Sequence, residues 1–378
     1  MRRAYLTTCV LLLSLSAPAA PVLADQVVVP VLAPITGFLA LEGGAQRNGA
    51  ILAAEHASKR HNIKFQADVQ DTTTAPDVAV SAFKRTLKNG KPPGVLGPIL
   101  GSQMLALLPI ADQEGLPILT ISGTAKLTEL GSVNVFRFFP GDSVVKAAHA
   151  LFATEQVGMK RPAILFQTTA YGQSGRSVLV ENLNRLGVTP VYEEGLSPAS
   201  KDLSAAIAKA SSAGADGLLL HLHAGPTALV IRQAHELGLN LPIVAGSAMH
   251  QPTTAALLEP AMLKGVCAES GSAPAAEVDG PAKAFADAYR ARFNAEPDAF
   301  ALAEYDAVGM FAEAYAAGSN SPATMRAWLS KNSYQGIAMS YVSNGKGDMA
   351  HSAVIVCYDG VSHNARVARR FKDGAWVN

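Results

Sequence analysis

The sequence predicts an α/β protein made of two open parallel-sheet lobes. From Gln26 onward, short apolar runs rich in β-branched residues alternate with longer segments of helical spacing, a pattern typical of parallel strands joined by crossover helices. The alternation forms two separate series, one before and one after Pro140. The chain is also longer than the size at which a single hydrophobic core usually stops growing. These three observations together favour two similar lobes.

The first residues have the pattern of a secretory signal peptide. Arg2 and Arg3 precede an apolar stretch from Val10 to Leu15, and small residues then lead to Ala24. The apolar stretch is far shorter than the roughly 20 residues that a membrane-spanning helix needs. We therefore expect cleavage after Ala24 and a periplasmic location for the exported chain.

Charge and cysteine content limit the classes of partner. Without the first 24 residues the chain keeps 354 residues, with 29 basic and 30 acidic side chains. This balance gives no field of one sign that would favour nucleic acid or an anionic membrane. Cys267 and Cys357 remain. Export permits a disulfide between them, but two buried free thiols are an equally good prediction.

The first series predicts four strands and three helices. We expect the strands at 27–33, 63–69, 94–97 and 117–121, and the helices at 43–60, 75–89 and 102–114. The second series predicts strands at 163–166, 188–193, 217–222 and 242–246, and helices at 172–186, 201–212 and 226–237.

The last hundred residues break this regularity. Helices are expected near 280–293, 300–317 and 322–331, followed by strands near 337–342 and 352–358. The turn residues Asn344 and Gly345 would join those two strands as a hairpin. An even barrel is not predicted, because its strands and helices would have to continue to the end of the chain.

Three crossings between the lobes are expected near 140–143, 270–275 and 345–352, and together they would form a three-stranded hinge. Lobe one would then span residues 25–141 and 273–350, and lobe two residues 142–272 and 351–378.

Two strand-to-helix turns predict a cradle for an anionic group. Open parallel sheets bind ligands at the carboxyl ends of their strands, and the turns Gly97–Ser102 and Thr120–Thr124 lie at such ends. Both combine glycine, which lets the backbone approach a ligand, with hydroxyls that can donate to a carboxylate. The alternative is that Ser102 and Thr124 only cap the helices that follow them. In the second series, Tyr171 could cover a ligand or pack on the lobe edge.

These turns, in their order along the chain, resemble those of the branched-chain amino-acid (leucine/isoleucine/valine) binding proteins of ABC importers, which are type I periplasmic binding proteins. The resemblance covers essentially the whole chain after the signal peptide. It is carried by the segments 33–37, 43–57, 97–102, 118–124, 171–172, 232–238 and 305–307. It implies two lobes that close over a small solute, delivery to an inner-membrane permease, a monomeric chain, no cofactor and no catalysis.

The resemblance also implies roles for individual residues. In the family, first-lobe turns hold the carboxylate of the ligand, which implies this role for Gly101, Ser102, Ser122 and Thr124. Ser122 would act through its backbone carbonyl, and Thr124 through its N–H and hydroxyl. Tyr171 matches the aromatic residue that the family contributes from the second lobe.

The sequence departs from the family where the ammonium of the ligand would bind. Amino-acid binders of the family place a carboxylate in the turn after the strand at 242–246, where this chain has Ala248. A buried ammonium without an anionic partner costs several kcal/mol. Either Glu304 supplies the charge, or the ligand lacks an ammonium and is an aromatic carboxylate, an amide or a urea-type solute. His221 and His223 could donate to such a ligand, or could point to opposite faces of a strand end.

Enzyme and metal motifs are not found in the sequence. There is no phosphate loop, no dinucleotide glycine fingerprint and no His-Glu-x-x-His. His221 and His223 are not joined by the further ligands that a metal site needs. Two function classes remain, a transport receptor and a ligand-sensing module of the same fold. The signal peptide and the lack of an output domain favour transport.

Overall fold

The structure is a computed structural model that describes residues 26–88 and 90–377. The predicted signal peptide and the cleavage after Ala24 lie outside these described residues. No helix in the described ranges is long and apolar enough to cross a membrane.

The described residues form fifteen strands and twelve α-helices. The strands are β1 (Val27–Ala33), β2 (Phe65–Asp71), β3 (Val95–Gly97), β4 (Ile118–Thr120), β5 (Val135–Arg137), β6 (Pro162–Gln167), β7 (Tyr192–Leu196), β8 (Gly217–His221), β9 (Ile243–Ala245), β10 (Val266–Ser270), β11 (Tyr334–Gln335), β12 (Ser340–Tyr341), β13 (Ser352–Cys357), β14 (Arg366–Lys372) and β15 (Ala375–Val377). The helices are α1 (Ala40–His61), α2 (Pro76–Thr86), α3 (Gly101–Glu114), α4 (Lys126–Glu129), α5 (Asp142–Leu151), α6 (Ala170–Arg185), α7 (Ser204–Ser212), α8 (Ala224–Glu236), α9 (Pro252–Ala255), α10 (Gly280–Phe293), α11 (Ala299–Ala316) and α12 (Pro322–Lys331).

The first sheet is parallel throughout and has helices on both faces. Its strand order is β2-β1-β3-β4-β5. Neighbouring residues of β1 enter different cores, because side chains alternate across a strand. Val31 packs in the core that contains α1 and α11, whereas Leu32 packs in the core that contains α2 and α3. Burial on both faces accounts for the nearly continuous apolar runs of β1, β3 and β4, whereas β2 at the sheet edge is only partly buried.

The second sheet is mixed rather than purely parallel. Its order is β15-β14-β13-β10-β9-β8-β6-β7, and β6 to β10 are parallel while β13 to β15 are antiparallel. Cys267 and Cys357 are directly paired across β10 and β13 and form a disulfide. This pairing decides the question that the sequence left open.

The chain passes between the two sheets three times. It leaves the first sheet after β5, returns after β10, and crosses again before β13. In the return segment, α11 packs against α1 of the first lobe. The predicted fold class, two α/β lobes joined by three crossing segments, is confirmed.

The predicted hairpin between 337–342 and 352–358 is wrong. β12 pairs with β11, whereas β13 joins the second sheet between β10 and β14. The turn itself forms, since the side chain of Asn344 accepts the N–H of Lys346 at 2.8 Å. The buried guanidinium of Arg137 holds Asp348 against the first lobe, with Nε at 2.7 Å from Oδ1. Local turn chemistry predicted the bend but not the partner of each strand.

Two further differences concern strand positions in the second lobe. The strand expected at 188–193 lies at Tyr192–Leu196, because Val188 still closes α6 through a bond to the carbonyl of Leu183 and Pro190 has no N–H for a ladder. β10, β14 and β15 were not predicted, and neither was β5 of the first lobe. Most of β14 is exposed and only Phe371 is buried, so its sequence lacks the alternation that indicates a strand.

The disulfide should add measurably to stability. It closes a separation of 90 residues in sequence, and removal of such a bridge typically costs about 2–5 kcal/mol, because the unfolded chain gains freedom. We expect urea denaturation to give a lower free energy of unfolding in dithiothreitol than under oxidising conditions. A Cys267→Ser/Cys357→Ser variant is the control and should not respond to dithiothreitol. Equal stability of the native chain in both conditions would contradict the disulfide.

Candidate ligand-binding site between the lobes

A cavity lies between the lobes, and residues that follow strands of both sheets line it. Its walls consist of Leu39, Glu42, Ile99, Leu100, Ile121, Gly123, Phe139, Pro140, Asp142, Val145, Tyr171, His223, Ser247, Ala248 and Phe300. The space available to the centres of water molecules is about 30 Å³, which is room for about two waters. A larger ligand therefore needs the walls to move apart before it can bind.

Ser122 and Thr124 lie in the turn after β4, where the sequence predicts the cradle. Both side chains are fully buried, and neither hydroxyl has a hydrogen-bond partner among the residues that the structure describes. A buried hydroxyl without a partner is costly. The turn contributes Ile121 and Gly123 to the cavity wall, whereas Ser122 and Thr124 are not part of it. Their two hydroxyls are therefore donors next to the wall that no described residue pairs with.

The cradle turn is held by Arg137, which follows it in β5. The Arg137 guanidinium is almost completely buried, and its Nη1 donates to the carbonyl of Thr124 at 2.7 Å. Its Nη2 donates to the hydroxyl of Thr128 at 2.8 Å. These bonds hold the backbone at the end of the turn in place.

Gly101 and Ser102 have a different relation to the cavity from the one predicted. Gly101 begins α3, and a Cβ atom there would lie 2.0 Å from Oγ1 of Thr124, so the glycine makes room for that side chain. Ser102 is the second residue of α3, and neither residue is in the cavity wall.

The alternative that Ser102 and Thr124 are helix caps is wrong. The cap positions of α3 and α4 are Leu100 and Ala125, and neither helix end has a side-chain capping bond.

Tyr171 and His223 cover the cavity from the second lobe. The Tyr171 ring stacks on the His223 ring with their centroids 5.2 Å apart. The His223 ring also packs against the Phe38 ring of the first lobe, with their centroids 5.3 Å apart. Burial lowers the pKa of His223 to about 4, so this imidazole is neutral at pH 7. His221 does not line the cavity. It lies next to Tyr171, and its Nε2 is 3.1 Å from the backbone carbonyl oxygen of that residue.

Asp142 is an acid in the cavity wall that the sequence did not single out as a site residue. It is fully buried at the first residue of α5. Its Oδ2 accepts the Ser174 hydroxyl at 2.8 Å, while Oδ1 has no hydrogen-bond partner within the described ranges. Burial raises the pKa of Asp142 to about 7. Asp142 is also adjacent to the cradle, since its N–H donates to the carbonyl of Gly123 at 2.8 Å.

Glu42 is a second acid that the sequence did not single out. It lies on α1, which begins three residues earlier than predicted, at Ala40. Oε1 of Glu42 accepts the N–H of Ala224 at 3.1 Å, and this bond joins the first lobe to the start of α8. Burial raises the pKa of Glu42 to about 7. A helix start favours a nearby anion because its first N–H groups have no partner within the helix.

A buried ion cluster supports the turn that contains Ala248. Lys146 and His149 of α5 both contact the carboxylate of Glu269 on β10, and His149 Nδ1 lies 2.8 Å from Oε2. Burial disfavours the Glu269 carboxylate, but the charge of Lys146 and the bond from His149 outweigh it and hold the pKa below its ordinary value. The Ser247 hydroxyl also donates to Glu269 at 3.2 Å. Glu269 is thus already neutralised by its own lobe.

The structure places the two residues considered for the ammonium site differently relative to the cavity. Ala248 lines the cavity, so the turn after β9 does face the ligand space without a charge. Glu304 is fully buried in α11 but is not part of the cavity wall. Neither of its carboxylate oxygens has a hydrogen-bond partner among the described residues. Asp142 and Glu42, rather than Glu304, are the acids that border the cavity.

Glu304 should make stability depend on pH. Burial raises its pKa to about 8, so the folded chain keeps a proton that the unfolded chain releases above its ordinary pKa of 4.5. The contribution of this group is therefore full below about pH 4.5 and is lost as the pH rises towards 8. We expect Glu304→Gln to gain on the order of 4 kcal/mol relative to the native chain between pH 5 and pH 8.

Urea denaturation of the native chain and of Glu304→Gln at pH 5 and pH 8 measures this change in the free energy of unfolding. The pKa shifts of other buried acids affect both proteins equally, so they cancel in the difference between them. A stability difference that stays the same at pH 5 and pH 8 would contradict the raised pKa of Glu304.

Comparisons with known proteins agree with this architecture. The chain is 29% identical over 345 residues to an amino acid binding protein of Pseudomonas aeruginosa, which covers 88% of this chain and 90% of the relative. The leucine binding protein LivK of Thermotoga maritima superposes with a TM-score of 0.83 at 21% identity, covering 92% of this chain and 99% of that one.

A solute binding protein of an ABC transporter from Rhodopseudomonas palustris, solved with 3,4-dihydroxybenzoic acid, has a TM-score of 0.81 at 19% identity, with 92% and 97% covered. The family model described as "Periplasmic binding protein" matches residues 26–362. The chain therefore belongs to the periplasmic binding protein family.

Proposed function

We propose that this chain is the substrate-binding component of an ABC importer, which captures a small carboxylate-bearing solute of amino-acid type and delivers it to an inner-membrane permease. The lobes in this proposal span residues 25–141 with 273–350, and 142–272 with 351–378. The chain is exported, cleaved after Ala24 and monomeric, and it does not convert its ligand. Membership of the periplasmic binding protein family supports the transport role.

The observation that carries the proposal is that Asp142, an acid of the cavity wall, lies beside a turn with two hydroxyl donors, Ser122 and Thr124, which adjoin the wall residues Ile121 and Gly123 in sequence. The hydroxyls of Ser122 and Thr124 are buried without partners among the described residues, and so is Oδ1 of Asp142. Gly123 lies between them, and its Cβ position is 3.7 Å from Oδ1 of Asp142. An α-amino acid carries a carboxylate and an ammonium on one carbon atom. The hydroxyls suit the carboxylate, and Asp142 suits the ammonium.

This assignment accounts for the missing carboxylate at Ala248. The charge that the turn after β9 lacks is provided from the first crossing between the lobes, by Asp142. An ammonium beside Asp142 would favour the carboxylate form and lower the raised pKa, because an opposite charge stabilises the ionised state. The names of the relatives, which include binders of leucine, isoleucine and valine, support an amino-acid ligand.

Closure of the lobes explains how binding becomes a signal to the permease. Ser174 of α6 donates to Asp142 and accepts the N–H of Ala125 at 2.9 Å, so it ties the cradle turn to the second lobe. Glu42 and Ala224 make a second bond between the lobes. A bound solute that fills the cavity would favour the closed state over the open state, because it contacts both lobes only when they are closed.

A second candidate ligand is an aromatic carboxylate without an ammonium. The stacked rings of Tyr171 and His223 favour it, and burial that raises the pKa of Asp142 to about 7 would allow a protonated, neutral Asp142. A thermal-shift screen of the twenty amino acids against aromatic carboxylates, amides and urea separates the two, since a ligand that binds only the folded state raises the melting temperature.

The cradle hydroxyl of Thr124 should be needed for binding. We expect Thr124→Ala to weaken binding of the most stabilising amino acid by about tenfold or more, since a hydrogen bond to a charged group contributes about 1.5–3 kcal/mol. Calorimetry measures the affinity. The matched control is Thr86→Ala, which removes a hydroxyl bonded only to its own helix and should leave the affinity unchanged. An unchanged affinity for Thr124→Ala would place the carboxylate elsewhere.

Asp142 should recognise the ammonium and not the carboxylate. We compare that amino acid with the carboxylic acid that has the same side chain and no amino group. The native chain should prefer the amino acid, because the ammonium pairs with a buried carboxylate. Asp142→Asn should remove most of this preference while the affinity for the deaminated acid changes little. A preference that survives in Asp142→Asn would contradict the assignment.

A further inference from the structure

We propose that Glu42 makes this site selective for an amino acid whose side chain ends in a hydrogen-bond donor, such as the amide of asparagine or the hydroxyl of threonine, over an aliphatic side chain of the same shape. The inference rests on the proposed function and narrows the ligand class within it.

Glu42 is held in a fixed position. The side chain is only 2% exposed, and Oε1 accepts the N–H of Ala224, the first residue of α8, at 3.1 Å. That N–H belongs to the first turn of a helix and has no partner inside the helix. The bond reaches from the first lobe to the second, so Glu42 cannot turn away from the cavity while the lobes are closed.

The second oxygen of Glu42 is the group that a ligand would meet. Oε2 is buried and has no hydrogen-bond partner among residues 26–88 and 90–377, and Glu42 is part of the cavity wall. In the ionised form of Glu42, Oε2 is a buried acceptor without a donor, which costs about 1–3 kcal/mol and agrees with the raised pKa of this residue. A ligand with an N–H or O–H group at this point would remove that cost, whereas a methyl group would leave it in place.

Glu42 and Asp142 serve different parts of the ligand. Asp142 is bonded to the cradle turn and to Ser174 of α6, whereas Glu42 is bonded to the start of α8. A ligand whose head group lies at the cradle and Asp142 presents its side chain to the rest of the wall. That remaining wall is mostly apolar, and Glu42 is its acidic residue.

The buried carboxylate of Glu42, rather than the apolar part of the wall, sets the selectivity between side chains of similar shape. Apolar walls discriminate poorly between side chains of similar shape, but a site with a buried polar group rejects a ligand that cannot pair with it. Glu42 is therefore the residue that can separate asparagine from leucine and threonine from valine.

The test uses calorimetry on the chain without its signal peptide and two pairs of similar shape, asparagine with leucine and threonine with valine. We expect the polar member of at least one pair to bind tenfold or more tightly than its aliphatic partner. In Glu42→Gln the amide oxygen can still accept the N–H of Ala224, but an NH₂ group replaces the free oxygen. The preference should then fall by tenfold or more, while the affinity for the aliphatic member stays within about threefold.

A role for Glu42 only in holding the lobes together predicts a different result. Glu42→Ala would then weaken both members of each pair equally, and Glu42→Gln would change neither, which would overturn the inference. The matched control is Glu236→Gln, an exposed residue at the end of α8, and it should leave all four affinities unchanged.

Failure of the inference can be told apart from failure of the proposed function. If leucine and valine bind the native chain as tightly as asparagine and threonine, selectivity through Glu42 is wrong and amino-acid capture stands. If none of the twenty amino acids binds, the proposed function is wrong and the inference falls with it.

Discussion

The buried guanidinium of Arg137 is the contact on which the rest of the site depends. It is 1% exposed and bonds the carbonyl of Thr124, the hydroxyl of Thr128 and the carboxylate of Asp348. Gly141 packs directly against it, since a Cβ there would lie 2.5 Å from Nη2. One side chain thus connects the cradle turn to the first and third crossings between the lobes. Loss of the Asp348 carboxylate would destabilise the fold, because an uncompensated buried charge costs several kcal/mol.

Around this anchor, buried polar groups in the cavity wall or next to it have no hydrogen-bond partner among the described residues. They come from both lobes: the hydroxyls of Ser122 and Thr124 and one carboxylate oxygen each of Glu42 and Asp142. The bonds that cross between the lobes, at Ser174 and Ala224, bring these groups together. Closure without a ligand buries them at a cost, and closure over a ligand with matching groups does not. This difference couples binding to the shape that a permease could recognise.

Much of the fold could be predicted from the sequence, because β1, β3 and β4 of the first lobe are buried apolar runs. The turn from Thr120 to Thr124 was also accessible, since glycine and hydroxyl residues at a strand end are a local signal. Glu42 and Asp142 were not. Glu42 lies just before the helix predicted at 43–60, and its bond to the start of α8 joins segments that are distant in sequence. Asp142 lay in the predicted hinge at 140–143, where its local sequence indicates a crossing and nothing about a ligand.

The pairing of β13 could not be predicted for the same reason, and neither could the choice between a disulfide and two free thiols at Cys267 and Cys357. The partner of β13 is β10, about ninety residues earlier in the chain, and not the neighbouring strand that the turn at Asn344 suggested. Positions that depend on contacts between distant segments are set by packing of the whole lobe rather than by local residue preferences. Glu42 and Asp142 in the cavity wall, and the strands β13 to β15, depend on such contacts between distant segments.

The central claim is that the cavity holds an amino acid by its head group, with the carboxylate at the cradle turn and the ammonium at Asp142. A crystal structure of the chain with the amino acid that raises its melting temperature most tests this claim directly. The account predicts carboxylate oxygens within hydrogen-bond distance of Thr124 and the ammonium within hydrogen-bond distance of Asp142, with the lobes closed. A ligand bound outside the cavity, or with its head group turned away from residues 122–124, would contradict it.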